Sequence, residues 1–131
     1  LDGEKVIGNS VAKSQFDYLA DPGKHLFIAT AENKAFLEAE LEAGKIYYII
    51  TRVYPGVMFL RVAFEAVNKE SEFWDKVKEF ENTLVRLTPD TVTLKQWEES
   101  NQLKIKKVLS NYEAVWKEKY QWPKLSLEDG R

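Results

Sequence analysis

The chain is 131 residues long, 44% hydrophobic and 13% aromatic, with 19 basic and 21 acidic side chains and a formal net charge of -2. That is the size and composition of one folded domain (1–131), not of a disordered chain, and the even charge balance lacks the concentrated positive field of a nucleic-acid binder. Cysteine is absent, which excludes disulfides, thiolate zinc sites and cysteine nucleophiles.

In chain order, the first half alternates with period two from about Lys13 to Val67, as strands do. In "SQFDYLA" Phe16, Tyr18 and Ala20 share one face, and in "HLFIATA" Phe27 and Ala29 oppose Leu26 and Ile28. "AFLEAELE" reads as a half-buried strand, with Leu37, Ala39 and Leu41 inward and Glu38, Glu40 and Glu42 outward. "KIYYIITRVY" is apolar on both faces, which predicts a central strand covered on both sides and carrying Tyr47, Tyr48 and Tyr54. In "VMFLRVAFEAV" Met58, Leu60, Val62, Phe64 and Ala66 point one way. Asp21-Pro22-Gly23, Glu32-Asn33, Ala43-Gly44-Lys45 and Tyr54-Pro55-Gly56 punctuate these runs as turns.

The period changes near Val67–Glu70. "SEFWDKVKEFENTL" sets Phe73, Val77, Phe80 and Leu84 at helical steps, Thr88-Pro89-Asp90 breaks the chain, and a second helix is predicted from about Leu94 to Tyr120. Trp97, Ile105, Val108, Leu109, Tyr112, Val115, Trp116 and Tyr120 form its stripe, with Asn101 as a polar interruption; "KLSLEDGR" reads as a loose tail. The predicted class is α+β: an antiparallel sandwich or meander of about five to seven strands (1–67), then a two-helix extension (68–131) packed on or beside it.

No stretch carries a recognisable chemistry. "DPGKH" and "EAGKI" lack the spacing of a phosphate-binding loop and read as hairpin turns. The single histidine, His25, would need carboxylates as every other metal ligand, and Glu38, Glu40 and Glu42 read as a solvated strand face that discourages edge pairing. Ser10, Ser14, Ser71, Ser100, Ser110 and Ser126 sit in no nucleophile context. No catalytic, cofactor-binding or metal-ligating residue is therefore assigned. The aromatics are the most suggestive group, and Tyr47, Tyr48, Tyr54, Trp97 and Trp116 are the candidates for an interaction surface or pocket.

Leu1-Asp2-Gly3, the turn Asp21-Pro22-Gly23-Lys24-His25 and Ala43-Gly44-Lys45-Ile46-Tyr47-Tyr48 together resemble the signature of a bacterial domain family, domain of unknown function family 2846, and more broadly the small PEGA-type β-sandwiches. The resemblance covers about residues 1–67. It implies a compact sandwich, an extracytoplasmic place in the bacterial envelope behind a signal peptide or lipid anchor, a first strand preceding Leu1, and no catalytic residues.

The expected function is that of a non-enzymatic, envelope-associated module that binds a protein partner or a second copy of itself, without nucleic acid, cofactor or membrane span. The alternative is a small-molecule or lipid binder with a pocket between sheet and helices; a hydrolase joining Glu38 or Glu40 to His25 is the third arrangement considered. The chain opens on Leu1 rather than Met, so the lack of a visible targeting signal carries no information.

Overall fold

The computed structural model describes residues 1–8, 14–31, 33–58, 60–68, 71, 74–86, 88–119 and 121–131. Ser10, Lys13, Glu32, Glu70, Phe73 and Tyr120, which figure in the expectations above, lie outside them. The fold is mixed α+β. Its strands are β1 (Ser14–Gln15), β2 (Gly23–Thr30), β3 (Lys34–Leu41), β4 (Ile49–Pro55), β5 (Leu60–Ala66), β6 (Val85–Arg86) and β7 (Lys124–Leu125). Its helices are α1 (Trp74–Thr83), α2 (Thr91–Ser100) and α3 (Gln102–Asn111), and α3 continues through a π-helical segment, Tyr112–Trp116, into a last turn, Lys117–Lys119.

The β2–β3 hairpin is the centre of the molecule. Its register runs from Gly23↔Leu41 to Thr30↔Lys34. One face carries Phe27, Leu37, Ala39 and Leu41, which pack with Ile49, Phe64 and Ala66 of the second hairpin, β4–β5. The other face carries Ile28 and Phe36, which pack with Tyr112, Val108, Leu109, Trp116 and Trp122. Helix, sheet and hairpin thus form three layers, with β3 covered from both sides.

Backbone pairing extends the central sheet at both edges. Residues 1–3 run beside β2, with Gly3 N–H donating to the Leu26 carbonyl (2.8 Å) and Ile28 N–H to that of Leu1 (2.9 Å). On the far side β7 lies parallel to β3, pairing Lys124 with Glu38 and Leu125 with Ala39. The second hairpin is pinned to the first by the Asn33 side chain. Its amide donates to the Val62 carbonyl (2.8 Å) and its oxygen accepts from the Val62 N–H (2.7 Å). The short parallel pair β1–β6 is reinforced by Gln15, whose amide donates to the carbonyls of Phe80, Glu81 and Leu84. The Glu81 carbonyl belongs to the last turn of α1, whose carbonyls lack intrahelical partners.

Several expectations are corrected. The two roles given to β3 and β4 are exchanged: Phe36 and Leu37 are both fully buried, whereas β4 becomes exposed from Arg52 onward. A carboxylate on the helix-facing side of β3 is tolerated because Glu38 accepts a hydrogen bond from the Tyr112 hydroxyl (2.7 Å). Tyr47 and Tyr48 precede β4 instead of lying on it. Phe16–Ala20 is not a strand, although Tyr18 and Ala20 still pack on the core, so the Asp21–Gly23 turn enters β2 from irregular chain. Gly23 does adopt the positive φ (119°) that a side chain would oppose.

The helices number three because the long stripe breaks at Asn101. Its backbone leaves the helical region (φ -120°, ψ 15°) and its amide caps the Trp97 carbonyl (2.8 Å). The central sheet backed by helix, facing a two-stranded hairpin, is not a clear sandwich. "KLSLEDGR" is not loose: Leu125 is buried, and the Asp129 carboxylate, also buried, accepts from the Ser126 N–H (2.8 Å) and from Asn68 (2.9 Å).

Candidate functional site

Three side-chain groups could carry function. The first surrounds His25. Its Nδ1 lies 2.8 and 2.9 Å from the two oxygens of Asp2, and its Nε2 lies 2.6 Å from the Asp21 carbonyl. A carboxylate and a carbonyl only accept hydrogen bonds, so both ring nitrogens must donate and the ring is an imidazolium. Partial burial pulls its pKa down, but the hydrogen bonds and negative charge of Asp2 and Asp21 outweigh this and raise it. The Tyr18 hydroxyl donates to the same Asp2 carboxylate (2.8 Å), and burial together with Asp2 pushes its pKa up to about 12. With both nitrogens engaged, His25 has no lone pair for a proton or a metal; it fastens residues 1–3 to the turn before β2. The two sequence signals that opened the family resemblance, Asp2-Gly3 and Pro22-Gly23-Lys24-His25, meet in this contact.

The second group centres on Glu38. Beside the Tyr112 hydroxyl, the carboxylate faces Lys124 (3.6 Å) and Lys117 (3.9 Å). Tyr112 and then the two lysines hold its pKa below the ordinary value, while burial and Glu38 raise that of Tyr112. In the β2–β3 register His25 pairs with Ala39, whereas Glu38 pairs with Leu26 and Glu40 with Lys24. Cross-strand partners share a face and neighbours alternate, so Glu38 and Glu40 stand on the opposite face of the sheet from His25. The hydrolase arrangement is not formed. Among the described residues no three His, Asp or Glu side chains converge as metal ligands, and Ser126 Oγ donates to Asp129 (3.0 Å).

The five aromatic candidates are dispersed. The Tyr47 hydroxyl accepts from the Glu42 N–H (3.0 Å) and donates to the Leu127 carbonyl (2.9 Å). Tyr48 donates to Glu81 (2.7 Å), which with burial pushes its pKa up to about 12, and meets Trp74 edge-on. Trp116 and Trp122 flank Phe36 at ring distances of 5.5 and 5.1 Å. On the helix-facing side of the central sheet, where the alternative reading would set a pocket, Phe36 packs against the rings of Tyr112, Trp116 and Trp122. A cleft of 440 Å³ does open elsewhere, between residues 4–5 and the α2–α3 junction, but Glu4, Lys5, Glu98, Gln102 and Lys106 line it with Ile105 as its one apolar wall. Trp97 stands partly exposed on α2 and Tyr54 on β4.

Tyr54 belongs to the third group, which sequence reasoning missed as a unit. The β4–β5 hairpin extends past the Asn33 anchor, and the apolar side chains described there, Val53, Tyr54, Val57 and Met58, face solvent. Val57 is 91% and Met58 79% exposed, with Val53 and Tyr54 about half exposed. The available signal was the run Val57-Met58-Phe59-Leu60 directly after Pro55-Gly56, since an apolar run at a turn departs from the polar composition expected there.

No family model matches the chain, and comparison with curated proteins and with solved structures likewise finds no match. No helix among the described residues is long and apolar enough to cross a membrane.

Proposed function

We propose that this chain is a non-catalytic interaction module of the bacterial envelope, and that its contact element is the tip of the β4–β5 hairpin. The observation that carries the reading is the solvent exposure of consecutive apolar residues, Val57 and Met58, on a hairpin whose other end is anchored in the core. Exposed apolar side chains grouped this way mark contact surfaces. The site chemistry agrees: the imidazole nitrogens of His25 are both engaged in holding backbone segments together. The envelope location rests on the resemblance of Asp2-Gly3, Pro22-Gly23-Lys24-His25 and Gly44-Lys45-Ile46-Tyr47-Tyr48 to the bacterial family described above.

A photo-crosslinking residue placed at position 57 tests this in cells. It is expected to capture a partner, a second copy or lipid, while the same residue at position 128, on the far side of the Tyr47 contact, captures none. Equal labelling from both positions would remove the hairpin as the contact element.

A further inference from the structure

We infer that the occupant of the hairpin tip is an anionic lipid surface, into whose headgroup region Val57 and Met58 insert; this rests on the docking reading above. The argument is one of charge and depth. Between Glu42 and Glu65 the sequence holds no acidic residue, although the whole chain has 21, and its charges there are Lys45, Arg52 and Arg61. The two arginines bracket the apolar tip. Register places Arg61 directly opposite Tyr54, one pair in from Pro55↔Leu60, and Arg52 opposite Ala63. Arg52, Tyr54 and Arg61 therefore share the hairpin's outer face, with the exposed apolar residues beyond them.

That order matches a bilayer read from the inside out. Apolar side chains reach the acyl boundary, a tyrosine sits at headgroup depth, and arginines meet lipid phosphates. Among the described residues Arg52 pairs with Glu65, whereas Arg61 makes no ion pair, which leaves its guanidinium free to take a phosphate in bidentate fashion. A protein groove would satisfy Val57 and Met58 equally well, but an acid-free stretch with an arginine on each side of the tip calls for an anionic occupant, and a lipid surface presents its phosphates at that depth. A single short tip gives weak, reversible attachment by itself, and anionic charge supplies the rest.

The test is sedimentation of the full chain with vesicles of phosphatidylcholine alone and of phosphatidylcholine mixed equally with phosphatidylglycerol. The wild-type chain is expected to bind the mixed vesicles and to release as salt rises. Arg61→Ala should weaken binding by about fivefold, and Val57→Asp should abolish it. Both positions lie clear of the core, and unchanged circular dichroism establishes that each variant folds. No binding to mixed vesicles, or binding indifferent to Val57→Asp, overturns the lipid surface. If vesicles are not bound but sedimentation velocity shows dimers that Val57→Asp dissolves, the hairpin still docks and its occupant is a second copy. A Val57→Asp chain identical to wild type in both assays would sink the docking reading as well.

Discussion

Replacing Phe36 by Ala removes the residue on which the three-layer arrangement turns. Its ring is fully buried and touches three others: Tyr112 stacked at 4.5 Å, Trp122 edge-on at 5.1 Å and Trp116 at 5.5 Å. Truncating a buried Phe costs about 3–5 kcal/mol, combining the lost transfer energy and the cavity left behind. The rigid aromatic walls favour the upper part of that range, because they cannot collapse into the space. Against a total stability of about 5–15 kcal/mol this is a large fraction, and it should lower Tm by on the order of 10–20 °C. Urea unfolding followed by circular dichroism and by tryptophan emission provides the measurement, since Trp116 and Trp122 report from the cavity itself. Leu103→Ala, on the exposed side of α3, is the control and should stay within about 0.5 kcal/mol. A cost below about 1 kcal/mol for Phe36→Ala would mean that the helix does not cover β3, because a half-exposed strand residue has that value.

Further expectations concern the anchors. His25 has a raised pKa in the folded chain, so the folded state holds its proton more tightly than the unfolded one. Its contribution is complete below the unfolded pKa of about 6.5 and fades as pH rises through the folded value; urea midpoints should therefore fall as pH is raised above about 6.5, and Asp2→Asn should flatten that slope. A slope unchanged by Asp2→Asn would detach it from this pair. Asn33→Ala strips both Val62 backbone groups of their partner and should cost about 1–3 kcal/mol in the same assay, with Asn33→Asp only partly restoring it because a carboxylate cannot donate to the carbonyl. Gly130→Ala would place a methyl 2.6 Å from the Tyr47 ring and 2.8 Å from Lys45 Cβ; faster proteolysis after residue 123 is expected, and wild-type resistance would show that this contact yields without cost.

The strand succession was legible because short polar, Gly or Pro turns separate the runs and β3 alternates between apolar and acidic residues, and the switch of period at Val67 marked the helices. Which strand is central was not legible. Both faces of β4 are apolar and one face of β3 carries Glu38 and Glu40, so local hydrophobicity pointed the wrong way. What decides the matter is Tyr112, 74 residues from Glu38, which satisfies the carboxylate and lets Phe36 beside it be covered. The chemistry of His25 was equally non-local: "DPGKH" shows a turn, but only the arrival of Asp2 gives its histidine a carboxylate partner that favours the charged ring. Ser126 and Asp129, three residues apart in the apparent tail, cap each other in a pattern that composition alone does not distinguish from a solvated end. The apolar run after Pro55-Gly56 was visible, and alternation assigned Met58 to the core because nothing local shows how far a hairpin protrudes.

The parallel pairing of Lys124–Leu125 with β3 has a bearing on when this molecule can fold. The edge of β3 at Glu38 and Ala39 stays open until a segment more than eighty residues later arrives to cover it, and Ile46 likewise waits for Arg131, with which it exchanges two backbone hydrogen bonds of 2.9 Å. During synthesis the first two hairpins emerge with an uncovered sheet edge and with Phe36 bare, the kind of exposed template that recruits other chains. Contacts of such long sequence separation also slow the search for the native arrangement. A fragment stopping at Pro123 would keep that edge of β3 uncovered and leave Ile46 without its partner.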